Sequence, residues 1–158
     1  LLQQSSRIHF VDESLEIDDE LKLETYHDCP VFLPVQTYGM TEEHDGIRMA
    51  DRFLHEQYLI VTEGSQKVLL SGCSHRGIYN IIQWAADEQV QTVIGGFHFM
   101  KLEPEDFGQM DNTAEMLMGY PVGYYTCHCT GLSQYQYLKE KMGDRLRYLE
   151  SGQTITIS

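Results

Sequence analysis

The sequence predicts an α/β domain built on a mixed sheet, and three observations predict it. From residue 55 onward, apolar runs of strand length alternate three times with segments of helical spacing, a pattern that calls for parallel strands joined by crossover helices. "QYLIVTE" (57–63) and "QKVLLSG" (66–72) flank a Gly-Ser turn, the signature of an antiparallel hairpin. With 42% hydrophobic and 11% aromatic residues in 158, the chain is long and apolar enough for one domain with its own core, which excludes a disordered or collagen-like polymer.

Taken in order, the first fifty residues are irregular. "RIHFV" (7–11) and "VFLPV" (31–35) have strand composition, although Pro34 confines the second to an edge or a short piece. The acidic stretch "ESLEIDDELKLET" (13–25) between them reads as a solvated hairpin or loop. After the 57–72 hairpin, Ile78, Ile81, Ile82 and Ala85 recur at helical spacing across residues 75–88, with Ser74 placed to cap the helix. "QTVIGG" (91–96) is the next strand. "DNTAEMLMG" (111–119) is a helix that Asp111 or Asn112 can cap and Gly119 ends. "VGYYTC" (122–127) is a strand, Tyr135, Leu138 and Met142 mark a helix closed by Gly143, and "QTITIS" (153–158) alternates like a final strand.

Twenty-four acidic against 11 basic residues give a net charge of −13, a field that repels nucleic acid and anionic lipid. No apolar run approaches the roughly 18 residues of a membrane span, and "LLQQSSRIHF" lacks the layout of a secretory signal. Cysteines stand only at 29, 73, 127 and 129, and so low a count in a domain with a core points to a reducing compartment, the cytoplasm by default. The expectation is a globular domain that binds a small molecule rather than nucleic acid or membrane.

The histidines follow the topology. His75, His98 and His128 each fall at or just beyond the carboxyl end of a strand, and His55 directly precedes one. In open α/β sheets, ligands bind in the crevice beyond the strands' carboxyl ends. Four imidazoles with Cys73 at one edge make an N/S-rich set suited to zinc, iron or manganese, although any single strand-end histidine also reads as a hydrogen-bonded structural residue. The turn "GCSHRG" (72–77) has a second reading. A helix opening over Ser74–Gly77 offers free N–H groups, with Ser74 and Arg76 adding a hydroxyl and a bidentate fork for a phosphate or carboxylate. The alternative is that Ser74 only caps the helix while Arg76 points to solvent. In "TCHCTG" (126–131) the C-x-C spacing is not that of a zinc knuckle. An extended strand end directs His128 to the crevice and Cys127 and Cys129 the opposite way. Cys29 reads as a small buried or loop residue.

"LHEQYLIV", "VLLSGCSHRGIYNII", "VIGGFHF" and "CHCTG", in that order over about residues 50–158, resemble the C-terminal half of a metallo-β-lactamase-fold protein. The narrower likeness is to the subgroup of dihydropterin–ribofuranosylaminobenzene phosphate synthase-like metal-dependent hydrolases. The resemblance implies half of an αββα sandwich, a mixed sheet with helices on one face, in a single domain with residues 1–50 as a variable region. It also implies a metal site at one edge of the sheet. Carried over, His55 resembles a metal-ligating histidine, Cys73 stands where a bridging Asp is usual, and His128 resembles the last ligand, with His75 and His98 as alternates or substrate-binding groups. The divalent metal would be zinc, or iron or manganese. The leading H-x-H-x-D-H motif of that family is absent here, so the resemblance implies a missing N-terminal half, in cis or in trans, or a homodimer.

Two functions compete at this stage. One is a hydrolase of a small phosphorylated or anionic molecule using a metal-activated water, with this chain supplying the second-metal half of the site. The other is a non-catalytic module in which the strand-end histidines bind a ligand or a regulatory metal.

Overall fold

The computed structural model describes residues 6–157. Its centre is a seven-stranded sheet in the order β1-β2-β5-β6-β7-β8-β9. Two short strands, β1 (Leu15–Glu16) and β2 (Leu21–Glu24), form one edge, and β2 runs antiparallel to β5 (Tyr58–Glu63). The hairpin of β5 and β6 (Gln66–Leu70) turns at Gly64 and Ser65, as its sequence predicts. From β6 the sheet becomes parallel: β7 (Thr92–Gly95), β8 (Gly123–Thr126) and β9 (Leu146–Tyr148) are added in turn. The three crossovers run through α1 (Ile78–Trp84), α2 (Asp111–Met118) and α3 (Leu132–Met142). α1 packs on α2 and α2 on α3, so the helices form one layer. A separate hairpin, β3 (Thr41–His44) with β4 (Ile47–Ala50), stands outside the sheet.

Strand alternation explains which face meets the helices. Ile60, Leu69, Val93, Tyr124 and Leu146 occupy one row of register partners and are all buried, in one cluster with Ile78, Ile81, Leu117 and Leu138 from the helices. The row one residue along, Leu23, Leu59, Leu70, Ile94 and Tyr125, points to the opposite face. Those five side chains are apolar but only partly covered. One side of the sheet is thus a finished core, and the other is an apolar surface half open to water.

Several expected elements take other forms. Residues 7–11 and 31–35 form no strand. The second segment instead satisfies its backbone on a helix side chain: Phe32 and Leu33 donate their N–H groups to Asn80 Oδ1 at 2.9 Å each, and Asn80 Nδ2 returns a bond to Leu33 O. The acidic stretch 13–25 is a hairpin, as one of its two readings held, because Leu21 and Leu23 pair with β5 while Lys22 forms ion pairs with Glu24 and Glu88. Residues 153–157 are not a strand. The last strand is β9, placed where Leu146 reaches the core, and Ser158 lies outside the described residues, as do residues 1–5.

The helix caps also differ. Ser74 does not cap α1; the helix begins at Ile78 after Gly77, whose φ of +88° is the left-handed conformation that glycine tolerates. Ser74 is buried three residues earlier, and its hydroxyl shares a 2.7 Å hydrogen bond with Ser71. Neither Asp111 nor Asn112 caps α2, which continues a 3-10 stretch over Pro104–Met110. Asp111 binds Tyr137 Oη and Lys141 Nζ on α3, both at 2.9 Å, and so joins the two helices.

Candidate functional site

The carboxyl ends of β6, β7 and β8 come together through their loops. Gly96 donates to Gly72 O at 2.8 Å, Phe97 to Thr130 Oγ1 at 2.8 Å, and Met100 to Cys129 O at 2.9 Å. Thr126 and Thr130 share a hydroxyl–hydroxyl hydrogen bond beneath them. The "GG" of "VIGGFHF" is what permits this closeness. A Cβ on Gly96 would lie 2.3 Å from Cys129 Sγ, and one on Gly95 would lie 2.5 Å from Ser71 O. The edge that sequence alternation picks out is therefore a tightly tied rim.

The rim is built around a residue that the sequence reading passed over. The Glu56 carboxylate accepts from the backbone N–H of His75 (2.8 Å) and of Arg76 (3.2 Å), and from Tyr58 Oη (2.7 Å), and it pairs with His75 Nδ1 (3.1 Å). An anion does sit on the "GCSHRG" turn, and it is the chain's own. The only sequence signal was an acid beside His55 in "LHEQY".

Arg76, expected either to grip a substrate anion or to face solvent, does neither. It is 2% exposed. Its guanidinium donates to the carbonyls of Thr25 (3.0 Å), Tyr26 (2.8 Å) and His27 (3.4 Å), and it lies 4.1 Å from the Trp84 ring centre. A desolvated guanidinium is retained where carbonyls and a π face replace its water. The expected anion grip of Ser74, Arg76 and Gly77 is thus not formed: Ser74 faces Ser71, Arg76 clamps the 25–27 loop, and Gly77 supplies the turn into α1.

His75 and His98 are brought together, with ring centres 4.4 Å apart and edge to face. His75 also stacks on Phe53 at 4.7 Å, and His98 lies 5.1 Å from the Tyr38 ring. Both nitrogens of His98 and the hydroxyl of Tyr38 are buried without a hydrogen-bond partner among the described residues. Burial, reinforced by His75 and Lys101, lowers the His98 pKa to about 4, so the ring is neutral at ordinary pH. Its φ of +57°, three residues beyond the end of β7, is uncommon outside glycine. A cavity of about 190 Å³ opens beside these rings, lined by Tyr38, Tyr79, Phe97, Phe99 and both imidazoles, with the side-chain amides of Gln36, Gln109 and Asn112 around it.

The expected metal ligands His55, Cys73 and His128 do not line that cavity. His55 is exposed and lines a shallow groove with His9 and His27, while His128 is exposed in a 3-10 turn at φ +46°. Cys73 is partly buried, and the buried Cys129 donates its thiol to Cys73 O at 3.4 Å. Burial pushes the Cys129 thiol up to about 12. Among the described residues, no three His, Cys, Asp or Glu side chains converge into a group able to hold a metal ion. The donors present therefore do not fit a metal held by this chain alone.

No model of a known protein family matches the chain. It is 24% identical over 135 residues to an uncharacterized protein of Methanocaldococcus jannaschii, covering 82% of this chain and 48% of that protein. It is 27% identical over 145 residues to 7,8-dihydropterin-6-methyl-4-(beta-D-ribofuranosyl)-aminobenzene-5'-phosphate synthase of the same organism, covering 89% and 46%. The chain thus spans about half the length of these curated relatives. A crystal structure of a metal-dependent hydrolase of the beta-lactamase superfamily superposes with a TM-score of 0.71 at 25% identity, over 94% of this chain and 58% of that one. The mixed sheet with one helical layer is therefore the metallo-β-lactamase type of α/β fold.

Proposed function

We propose that this chain is one half of the catalytic domain of a metal-dependent hydrolase of the metallo-β-lactamase superfamily, acting on a small molecule. The observation that carries this reading is the structural likeness over 94% of the chain to a metal-dependent hydrolase of which it covers only 58%. The half-open row Leu23, Leu59, Leu70, Ile94 and Tyr125 supports it, since an apolar sheet face of that extent is the surface a second half-sandwich covers. The second half comes in cis or in trans, or a second copy of this chain takes its place. A divalent metal, zinc before iron or manganese, belongs to the completed domain, with His55, Cys73 and His128 as this chain's candidate ligands and the remaining donors on the other half.

The test is elemental analysis and a hydrolysis panel of esters, phosphoesters and lactams. It uses the 158-residue chain and the longest natural protein that carries this sequence. The expected result is metal well below one per chain in the former. In the latter, near-stoichiometric metal accompanies turnover, and both fall on His128→Ala. Background hydrolysis by a metal-free long form overturns the proposal. A non-catalytic binding module is the second reading, favoured by the lack of three converging donors among the described residues. Ligand binding without turnover in the long form decides for it.

A further inference from the structure

Three of the four cysteines come from two loops that are not neighbours in the sheet. Cys73 follows β6, Cys127 and Cys129 follow β8, and β7 runs between those strands. Two strand spacings, about 9.6 Å, separate β6 from β8. Side chains at their ends meet only where the strand between them leaves the way clear. It does so here, because β7 runs out in Gly95 and Gly96. A Cβ on Gly96 would lie 2.3 Å from Cys129 Sγ, so that sulfur fills the space a side chain would take. Past the glycine the Cys129 thiol reaches Cys73, donating to its carbonyl oxygen at 3.4 Å.

The sulfurs form one cluster. Burial raises the Cys129 thiol and a side-chain hydrogen bond with Cys73 raises it further; Cys127 is raised by burial and then by Cys73. All are free thiols, with Cys73 partly exposed and Cys129 buried. Cys29 stands elsewhere, on a shallow groove with Glu24 and Asp28. Among the described residues no three His, Cys, Asp or Glu side chains converge on a metal position, so what the cluster offers is chemistry between sulfurs.

We infer that Cys73 and Cys129 are a redox pair that hydrogen peroxide converts to an intramolecular disulfide. The exposed partner reacts first. Cys73 Sγ attacks one oxygen of the peroxide, the O–O bond breaks, and Cys73 becomes a sulfenic acid with release of water. Cys129 Sγ then attacks the Cys73 sulfur, the S–O bond breaks, and the departing hydroxyl leaves as water with the Cys129 proton. Two thiols and one peroxide give one disulfide and two waters, the two electrons passing from sulfur to oxygen. Cys129 is the resolving partner rather than Cys127 because its sulfur is the one held against Cys73. The bridge fastens the β6 loop to the β8 loop across β7. Its formation needs neither metal nor turnover, so this inference and the hydrolase reading stand or fall separately.

The experiment treats the reduced 158-residue chain with one equivalent of hydrogen peroxide in the presence of a chelator, counts thiols, and maps unreduced peptides by mass spectrometry. The expected result is a monomer that has lost two of its four thiols, with the peptides of Cys73 and Cys129 joined and full recovery in dithiothreitol. Cys129→Ser should leave Cys73 as a sulfenic acid that dimedone traps, and Cys73→Ser should leave Cys129 a thiol. Cys29→Ser and Cys127→Ser should bridge like the natural chain. The inference is overturned if four thiols survive the peroxide, if the joined peptides include Cys29 or Cys127, or if the bond links two chains. It also falls if dimedone labels Cys73 no more in Cys129→Ser than in the natural chain. The peptide map is read on the natural chain, so it decides even where a variant fails to fold.

Discussion

Glu56 and His98 are the two residues around which the site is arranged, and they act in opposite ways. Glu56 is saturated with hydrogen-bond partners, whereas the ring nitrogens of His98 have none among the described residues. The consequence for His98 is a pH dependence whose sign is fixed. In the unfolded chain an imidazole takes up a proton near pH 6.5, while in the folded chain His98 resists it until about pH 4. Between those values the unfolded state binds more protons, so stability declines as pH falls from about 6.5 toward 4 and levels off below. Above pH 6.5 the ring contributes no slope. An NMR titration of the imidazole should show an unprotonated ring at pH 5, and urea midpoints should drop from pH 6.5 to 4.5 in the natural chain but less in His98→Asn. An imidazole titrating near 6.5 in the folded chain would refute this.

The same two residues show how far a site is readable before it is folded. That His75 and His98 meet at one edge follows from strand-end positions, and the structure brings them to 4.4 Å. Where Arg76 points does not follow, because its partners are carbonyls 49 to 51 residues away. Nor does the identity of the anion on the turn, because Glu56 reaches it from the residues leading into β5. Local pattern gives position along an element; the occupant of a donor is decided by what tertiary packing places opposite.

At the scale of elements, the β7 and β8 loops are held by a contact that admits no methyl group. Gly96→Ala would drive a Cβ into Cys129 Sγ, and overpacking of this kind costs about 1–3 kcal/mol. Chemical denaturation of Gly96→Ala should show that loss. Adding Cys129→Ala should recover part of it, since the sulfur is the atom struck first. No recovery in the double variant would place the strain instead at Cys127 O, 3.3 Å from the added Cβ. The elements from residue 57 to 142 were legible because each buries one face in a regular period. Those of the first third were not. β1 and β2 lie in an acidic run whose leucines matter only once β5 is beside them, and residues 31–35 are held by Asn80, a partner no local window contains.

For the whole molecule, the decisive feature is the sheet's half-covered side. Leu59 and Leu70 are register partners at its centre, and a surface of this kind associates when nothing covers it. The 158-residue chain should show a mass that rises with concentration in sedimentation equilibrium, and it should bind an apolar dye. Leu59→Lys, which puts a charge on that face and leaves the core row intact, should suppress both without lowering helical content. A single concentration-independent monomer mass with no dye binding would mean that the face is already covered. No helix among the described residues is long and apolar enough to cross a membrane, so the apolar area is a matter of sheet packing rather than of a helical span.

The order of the strands carries a consequence for how this chain comes into being. From β5 to β9 each new strand is laid beside the one made just before it. The β5–β6 pairing is local in sequence, whereas each parallel pairing closes a crossover through a helix, the non-local kind that forms more slowly. As the polypeptide leaves the ribosome, the β5–β6 hairpin has its partner at once, and each crossover then adds one strand to a finished template. β2 alone must wait, for more than thirty residues separate it from β5, and the β3–β4 hairpin lies within that interval. The acidic edge is therefore the part whose attachment spans the longest loop, and a protease present during synthesis would find it there first.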